Sequence, residues 1–354
     1  MSLVSLCVVC RGYCSSSFGG DRLVQGASSL ARSFGISSLV IGLTVVAFGT
    51  SAPELAVSVN GALHHSGDVA VGNVVGSNIF NVLAILGLSA LITPLAVQSS
   101  LIRLEIPLLV VVSLALPLFA MDGVLGRLDG ALFFIAAVIY TVWVVVQSRK
   151  QASTVREEDV TPEPWWKSAL NLIVGLGLLV LGARWVVDGA VEIARFLGLS
   201  ELVISLTIIA AGTSLPEVVT SISAALKGER DIAVGNVVGS NLFNILCVLG
   251  LSAVVTPDGI QVAAEATRFD IPVMIAVAFI CVPIFLSGYV VDRLEGAVLL
   301  TLYVGYTATV VVMAAHPNAS ELAQRVYLWG MWPLGLVVTL AILWRARSRR
   351  LTLE

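Results

Sequence analysis

Charge is what this chain has least of. Asp, Glu, Lys and Arg make up 12% of its 354 residues, about half the share found in soluble domains. Apolar residues make up 57% and the mean hydropathy is +0.96. That balance excludes an ordinary soluble fold and describes an all-α integral membrane protein. With a net charge of −3 and no basic cluster, nothing points to nucleic acid. Cysteine is sparse and scattered, at Cys7, Cys10, Cys14, Cys247 and Cys281. The last two sit in apolar runs and read as small hydrophobic fillers. Cys7-x-x-Cys10-x-x-x-Cys14 has no His or second Cys pair spaced to complete a metal or redox site. His64-His65 reads as a polar loop, with a metal pair as the alternative.

Against that background one stretch stands out, and it occurs twice. Gly49-Thr-Ser-Ala-Pro-Glu54 is followed by Gly72-Asn-Val-Val-Gly-Ser-Asn-Ile-Phe-Asn81. Gly212-Thr-Ser-Leu-Pro-Glu217 is followed by Gly235-Asn-Val-Val-Gly-Ser-Asn-Leu-Phe-Asn244. The offset is 163 residues, and 28 of the 46 positions from Gly49 to Pro94 match their partners without a gap. An internal repeat of this kind governs the whole fold assignment.

A spanning helix needs about 20 mostly apolar residues. On that rule the first half offers spans at Ser38–Leu63, Val69–Ile92, Leu104–Ala120 and Leu128–Val146. The second half offers Ala169–Val187, Leu202–Leu226, Ile232–Val255, Ile271–Leu286 and Leu294–Met313, and Val326–Trp344 has no partner. Ser2 to Val24 is a poor candidate, interrupted by Arg11-Gly-Tyr-Cys-Ser-Ser-Ser17. It reads as the first helix in degraded form, or as a misread gene start. Residues 148–165 are charged and contain prolines, a solvated linker. The expected layout is a five-helix repeat over 1–147, the linker, a second repeat over 166–316, and an added helix with a basic tail over 317–354. Five helices per repeat is an odd number, so the second copy enters the membrane in the opposite sense. The fold expected is a ten-helix core of two inverted-topology repeats plus one extra C-terminal transmembrane helix. Arg149, Lys150 and Arg156 in the linker and Arg345, Arg347, Arg349 and Arg350 at the end place both segments in the cytoplasm.

Glu54 and Glu217 each lie in mid-span, where an ionisable group is costly and marks a pathway or site. Pro53 and Pro216 break the helical ladder beside them, freeing the carbonyls of Gly49 and Gly212. Irregular backbone at membrane depth belongs against a cavity or packed protein. Helical spacing sets Thr50 over Glu54 with Ser51 alongside, and Ser77 one turn from Asn81, as Ser240 is from Asn244. Every donor is oxygen. That argues for a hard cation, Ca²⁺ or Na⁺, rather than zinc, copper or iron. Gly72-x-x-x-Gly76 and Gly235-x-x-x-Gly239 read as close-packing surfaces. Asp122, Asp129, Asp292 and Glu295 flank span ends and read as solvated.

The duplicated Gly-Thr-Ser-x-Pro-Glu and Gly-Asn-x-x-Gly-Ser-Asn-x-x-Asn pattern resembles the alpha-repeats of the sodium/calcium exchanger family, over about residues 20–315. The resemblance implies a transporter rather than an enzyme, with Ca²⁺ and Na⁺ as substrates and no cofactor. It would work in the inner cell membrane, embedded in the lipid bilayer, with no obligate protein partner. Proton-driven exchange and a passive channel are the alternatives. Carried onto matching positions, the ligands are Glu54, Thr50, Ser51, Ser77 and Asn81, with Glu217, Thr213, Ser214 and Ser240, and the carbonyls of Ala47 and Ala210. Asn244 completes the equivalent set and stands where some members carry Asp. In the family that Asp accompanies K⁺ co-transport, so its absence implies indifference to K⁺.

Overall fold

The computed structural model describes residues 3–64, 66–152, 164–198 and 210–351, with Ile204 and Ile208. The chain is helical almost throughout. Its helices are α1 (Leu3–Phe34), α2 (Ser38–Thr50), α3 (Ala52–Leu63), α4 (Gly67–Ile92), α5 (Ser99–Phe119) and α6 (Arg127–Ala152). After the linker come α7 (Trp165–Phe196), α8 (Leu215–Leu226), α9 (Arg230–Val255), α10 (Ala266–Leu286) and α11 (Arg293–Ala315). The chain closes with α12 (Ser320–Val326) and α13 (Trp332–Leu351).

Among the described residues seven helices are long and apolar enough to cross a membrane, and the bent pair α2–α3 makes an eighth. The two helices of that pair meet at 47°. α8 is short, and the start of its expected span, residues 202–209 other than Ile204 and Ile208, lies outside the described residues. So does residues 153–163 of the linker, but α6 runs on through Ala152, past the expected boundary at 147.

Helices α4 and α9 form the centre. Burial covers 72% and 83% of their apolar windows, against 17% to 22% for α6, α7 and α11 at the periphery. Gly235 and Gly239 seat α9 against α2: a Cβ there would meet the Leu39 carbonyl at 2.8 Å and the Leu43 carbonyl at 2.6 Å. A Cβ on Gly72 or Gly76 would meet nothing within 4 Å among the described residues, and the equivalents of Leu39 and Leu43 lie outside them.

α1 covers the stretch read as the first helix in degraded form, and it is not among the seven helices long and apolar enough to span. It is one helix of 32 residues lying antiparallel to α7 along its length. Its small residues form the seam. A Cβ on Gly12 would lie 2.7 Å from the Gly182 carbonyl, and one on Gly19 would lie 2.8 Å from that of Gly175. Ser15 Oγ donates to the Leu178 carbonyl at 3.0 Å. The charges that broke the apolar pattern are placed as well: Arg11 stacks on Trp185 at 4.4 Å, and Arg22 donates to Asn171 Oδ1. Small residues let two backbones approach closely in lipid, where hydrophobicity itself gives no preference for a neighbouring helix.

Two short antiparallel ladders tie the halves together. Leu95–Ala96 pairs with Val290–Val291, and Val124–Leu125 pairs with Ile260–Gln261. Gly87 and Gly296 approach as closely as Gly130 and Gly250 do. Each of these contacts joins one half to the other. The span-end acids are not simply solvated. Asp122 and Asp129 accept from the backbone of Val124 and Gly126, and Asp292 and Glu295 form a capping box at the start of α11. Glu295 is buried there, bonded also by Ser287.

Candidate cation site

The polar residues of the repeats converge where two helices break. Ser51 closes α2 and precedes α3, with φ −81° and ψ 7°, and Pro53 sits in the first turn that follows. Ser214 stands before α8 in the same conformation, φ −88° and ψ 8°. Proline fits the start of a helix because its missing N–H would have no partner there. The sequence pattern Ser-x-Pro-Glu therefore makes a new helix start at membrane depth and puts a glutamate in its first turn. The positive end of a helix favours that charge.

Both glutamates are buried, at 0% and 1% exposure. The hydroxyls serve the opposite repeat rather than their own. Ser214 Oγ donates to Glu54 Oε1 at 2.9 Å, and Ser51 Oγ donates to Glu217 Oε1 at 3.1 Å. Ser77 joins through Ser214, 3.2 Å away. Thr50, which continuous helical spacing sets over Glu54, lies on the other side of the 47° bend from it. Its hydroxyl donates to Asn236 Oδ1 at 3.1 Å and to the Ala47 carbonyl at 3.4 Å. Thr213 makes the mirrored bond to Asn73 Oδ1 at 3.5 Å. The Ala47 carbonyl already accepts from Ser51 N–H at 3.0 Å. Ala210 lies in the single helical turn Ala210–Gly212 before Ser214.

Asn81 and Asn244 each open a widened turn, Asn81–Leu86 and Asn244–Leu249, inside α4 and α9. Such turns recur at functional sites because they re-aim side chains without ending the helix. Here they join an amide ladder. Asn78 and Asn241 donate to each other's carbonyls at 3.2 and 3.3 Å. Asn81 donates to Asn241 Oδ1 at 3.0 Å, and Asn244 to Asn78 Oδ1 at 3.1 Å.

Four asparagines thus carry structure that the sequence reading left unassigned. Asn73 holds the Glu54 carbonyl at 3.1 Å and Ser58 Oγ at 2.9 Å, clamping α3 to α4. Asn236 does the same for Glu217 and Ser221 in the second half. With Asn78 and Asn241 they stand at identical places in both copies of the motif, which is the signal that could have found them.

Among the described residues no Lys, Arg or His pairs with either glutamate. Glu54 Oε2, Glu217 Oε2, Asn81 Oδ1, Asn244 Oδ1 and Ser240 Oγ are buried without a hydrogen-bond partner. Each such orphan costs about 1–3 kcal/mol, and more when charged. Two carboxylates and neutral oxygens left open in this way suit a hard cation, which replaces those partners with its own charge. His64 lies apart from them, exposed and bonded to the Asn60 carbonyl, while His65 is outside the described residues.

Comparison with known proteins gives the family. The profile of the family described as "Sodium/calcium exchanger protein" matches residues 4–146 and 167–312, so α1 lies within the family domain. Inner membrane protein YrbG of Escherichia coli (strain K12) is 42% identical over 270 residues, covering 74% of this chain and 83% of that one. Sodium/calcium exchanger MaX1 of Methanosarcina acetivorans is 31% identical over 327 residues, covering 81% and 93%. A solved structure of the sodium-calcium exchanger NCX_Mj superposes with a TM-score of 0.74 at 30% identity, over 89% of this chain and 99% of that one. The chain is a multi-pass membrane transporter and belongs to the sodium/calcium exchanger family.

Proposed function

We propose that this antiporter extrudes Ca²⁺ against an inward Na⁺ gradient by alternating access, at one midplane site built around Glu54 and Glu217. The observation that carries the reading is the exchange of serines between the halves. Ser51 bonds Glu217 and Ser214 bonds Glu54, leaving the second oxygen of each buried carboxylate open. Two negative charges balance one Ca²⁺. Thr50, Thr213, Ser77, Ser240, Asn81 and Asn244, with the carbonyls of Ala47 and Ala210, complete the oxygen set for Ca²⁺ or for Na⁺ ions in its place.

Inverted topology is part of the same proposal. A bond from residue i of one repeat to residue j of the other is matched by one from the equivalent of i to the equivalent of j. Thr50–Asn236 with Thr213–Asn73, and Asn81–Asn241 with Asn244–Asn78, follow this rule. Such matching is what a two-fold axis in the membrane plane requires. In this reading the linker and the basic C-terminal tail face the cytoplasm of a cell whose inner membrane holds the protein.

Two buried carboxylates without a counter-cation also suit protons, so the test separates the two drivers. Purified protein is reconstituted into liposomes and Ca²⁺ uptake is followed under an imposed Na⁺ gradient or an imposed pH gradient. Uptake is expected with Na⁺ alone, and Glu54→Gln and Glu217→Gln should each abolish it, because an amide supplies neither the charge nor the bidentate grip. Uptake driven by a pH gradient in Na⁺-free medium would make the protein a Ca²⁺/H⁺ antiporter. Near-normal uptake by either variant would place the site elsewhere.

A further inference from the structure

A second pair of carboxylates is repeated in the fold, away from the cation site. Glu105 on α5 and Asp270 on α10 occupy equivalent places, each followed by Ile-Pro and each two residues after an arginine. The helix that follows each carries a tyrosine, Tyr140 on α6 and Tyr306 on α11. The short strands confirm the register, since Leu95 and Val124 of one half stand where Ile260 and Val290 stand in the other.

The two pairs are chemically alike and structurally unlike. Tyr306 Oη donates to Asp270 Oδ1 at 2.8 Å. In the other half the Tyr140 hydroxyl and Glu105 Oε2 are both buried, and both lack a hydrogen-bond partner. Glu105 lines a cleft together with Trp143 and Val144, which lie one turn beyond Tyr140 on α6. A donor and an acceptor left apart in a buried setting forfeit a bond that a small movement could restore. The made pair is backed by Phe269, stacked on Tyr306, and by Tyr327, which packs on both rings from the turn before α13. That cleft, of about 230 Å³, is lined also by Ser37, Gln98, Gln147 and Ser148.

We propose that these are two halves of one latch, alternately made and broken as the transporter changes its open side. In an inverted-repeat molecule the second state is the first with the repeats exchanged, so Glu105–Tyr140 closes when Asp270–Tyr306 opens. The proposal rests on the alternating-access reading above, and it assigns a role to four residues outside the cation site. Each bond stabilises one of the two states, and a net change of roughly two- to tenfold in their ratio follows from losing it.

The test uses Tyr306→Phe and Tyr140→Phe, with Asp270→Asn and Glu105→Gln as second variants should either phenylalanine form fail to fold. Ca²⁺ binding to purified protein should stay within about twofold of wild type in all four, since none touches the ions. Deuterium uptake is then followed at residues 99–105 and 266–271. With Tyr306→Phe, uptake should rise at 266–271 and fall at 99–105 as the mirrored pair closes. With Tyr140→Phe, uptake at 266–271 should fall. A merely structural bond predicts only the local rise. Uptake at 99–105 that stays level or rises in both Tyr306→Phe and Asp270→Asn overturns the latch. Wild-type liposomes without counter-ion-dependent Ca²⁺ flux would remove the antiport reading, and the latch with it. Normal wild-type exchange without the reciprocal protection removes the latch alone.

Discussion

At the scale of single residues, the ion choice proposed above turns on Asn244. Its amide nitrogen is spent on Asn78 Oδ1, while its Oδ1 is buried and unpartnered beside the site. Asn81 is in the same position in the other half, so the proposed site carries two carboxylates and not three. Asn244→Asp would add the third charge and lose the bond to Asn78. Wild-type Ca²⁺ uptake is expected to be the same in K⁺ and in choline medium, and the variant's uptake to depend on K⁺. Equal uptake by the variant in both media would show that position 244 does not select the ion. Protons would compete for the two carboxylates of the proposed site, since protonation removes the charge that holds the cation. Na⁺-driven uptake should therefore fall as the medium is acidified. The glutamates, serines and Asn81/Asn244 were legible from the repeat because each appears twice. Their partners were not. Spacing along one helix says which residues are neighbours on that helix, and here the helix stops at Ser51, so the Thr50, Ser51, Thr213 and Ser214 hydroxyls reach across to the other repeat.

Among the elements, α1 is the one whose partner the apolar-run rule could not show. Serines, glycines and arginines lowered its hydropathy, yet those small residues make a close antiparallel seam with α7. A pattern rule counts polarity and has no account of what a polar residue faces. The central pair α4 and α9 was legible as two spans, but the widened turns at Asn81 and Asn244 were not, since no residue type announces them. The seam gives a direct test. At Gly19 a new side chain meets the backbone of Gly175 and Leu179 within about 3 Å, whereas at Gly177 it meets nothing within 4 Å among the described residues. Gly19→Leu is expected to lower the thermal stability of the detergent-purified protein by several degrees, and Gly177→Leu to leave it unchanged, as overpacking typically costs 1–3 kcal/mol. Equal melting of the two variants would show that the seam is not a close contact.

For the molecule as a whole, the contacts that matter run between the halves. Both ladders, the serine–glutamate bonds and the asparagine ladder join one repeat to the other. The repeat was plain in the sequence, but that its copies would be so thoroughly interlocked was not, because similarity reports that two segments are alike and not that they touch. Residues 1–152 expressed alone should be unstable and degraded, and co-expression with residues 153–354 should restore both. Stable, monodisperse first halves would show that each repeat folds on its own. Consider then the newly made chain. Glu54 and Asn78 enter the bilayer some 160 residues before Ser214 and Asn241 are synthesised. At about 5–20 residues per second that is a wait of roughly 10–30 s, during which a carboxylate and its amides sit in the membrane with no answering side chain. The cell must shelter the first half of this protein while it makes the second.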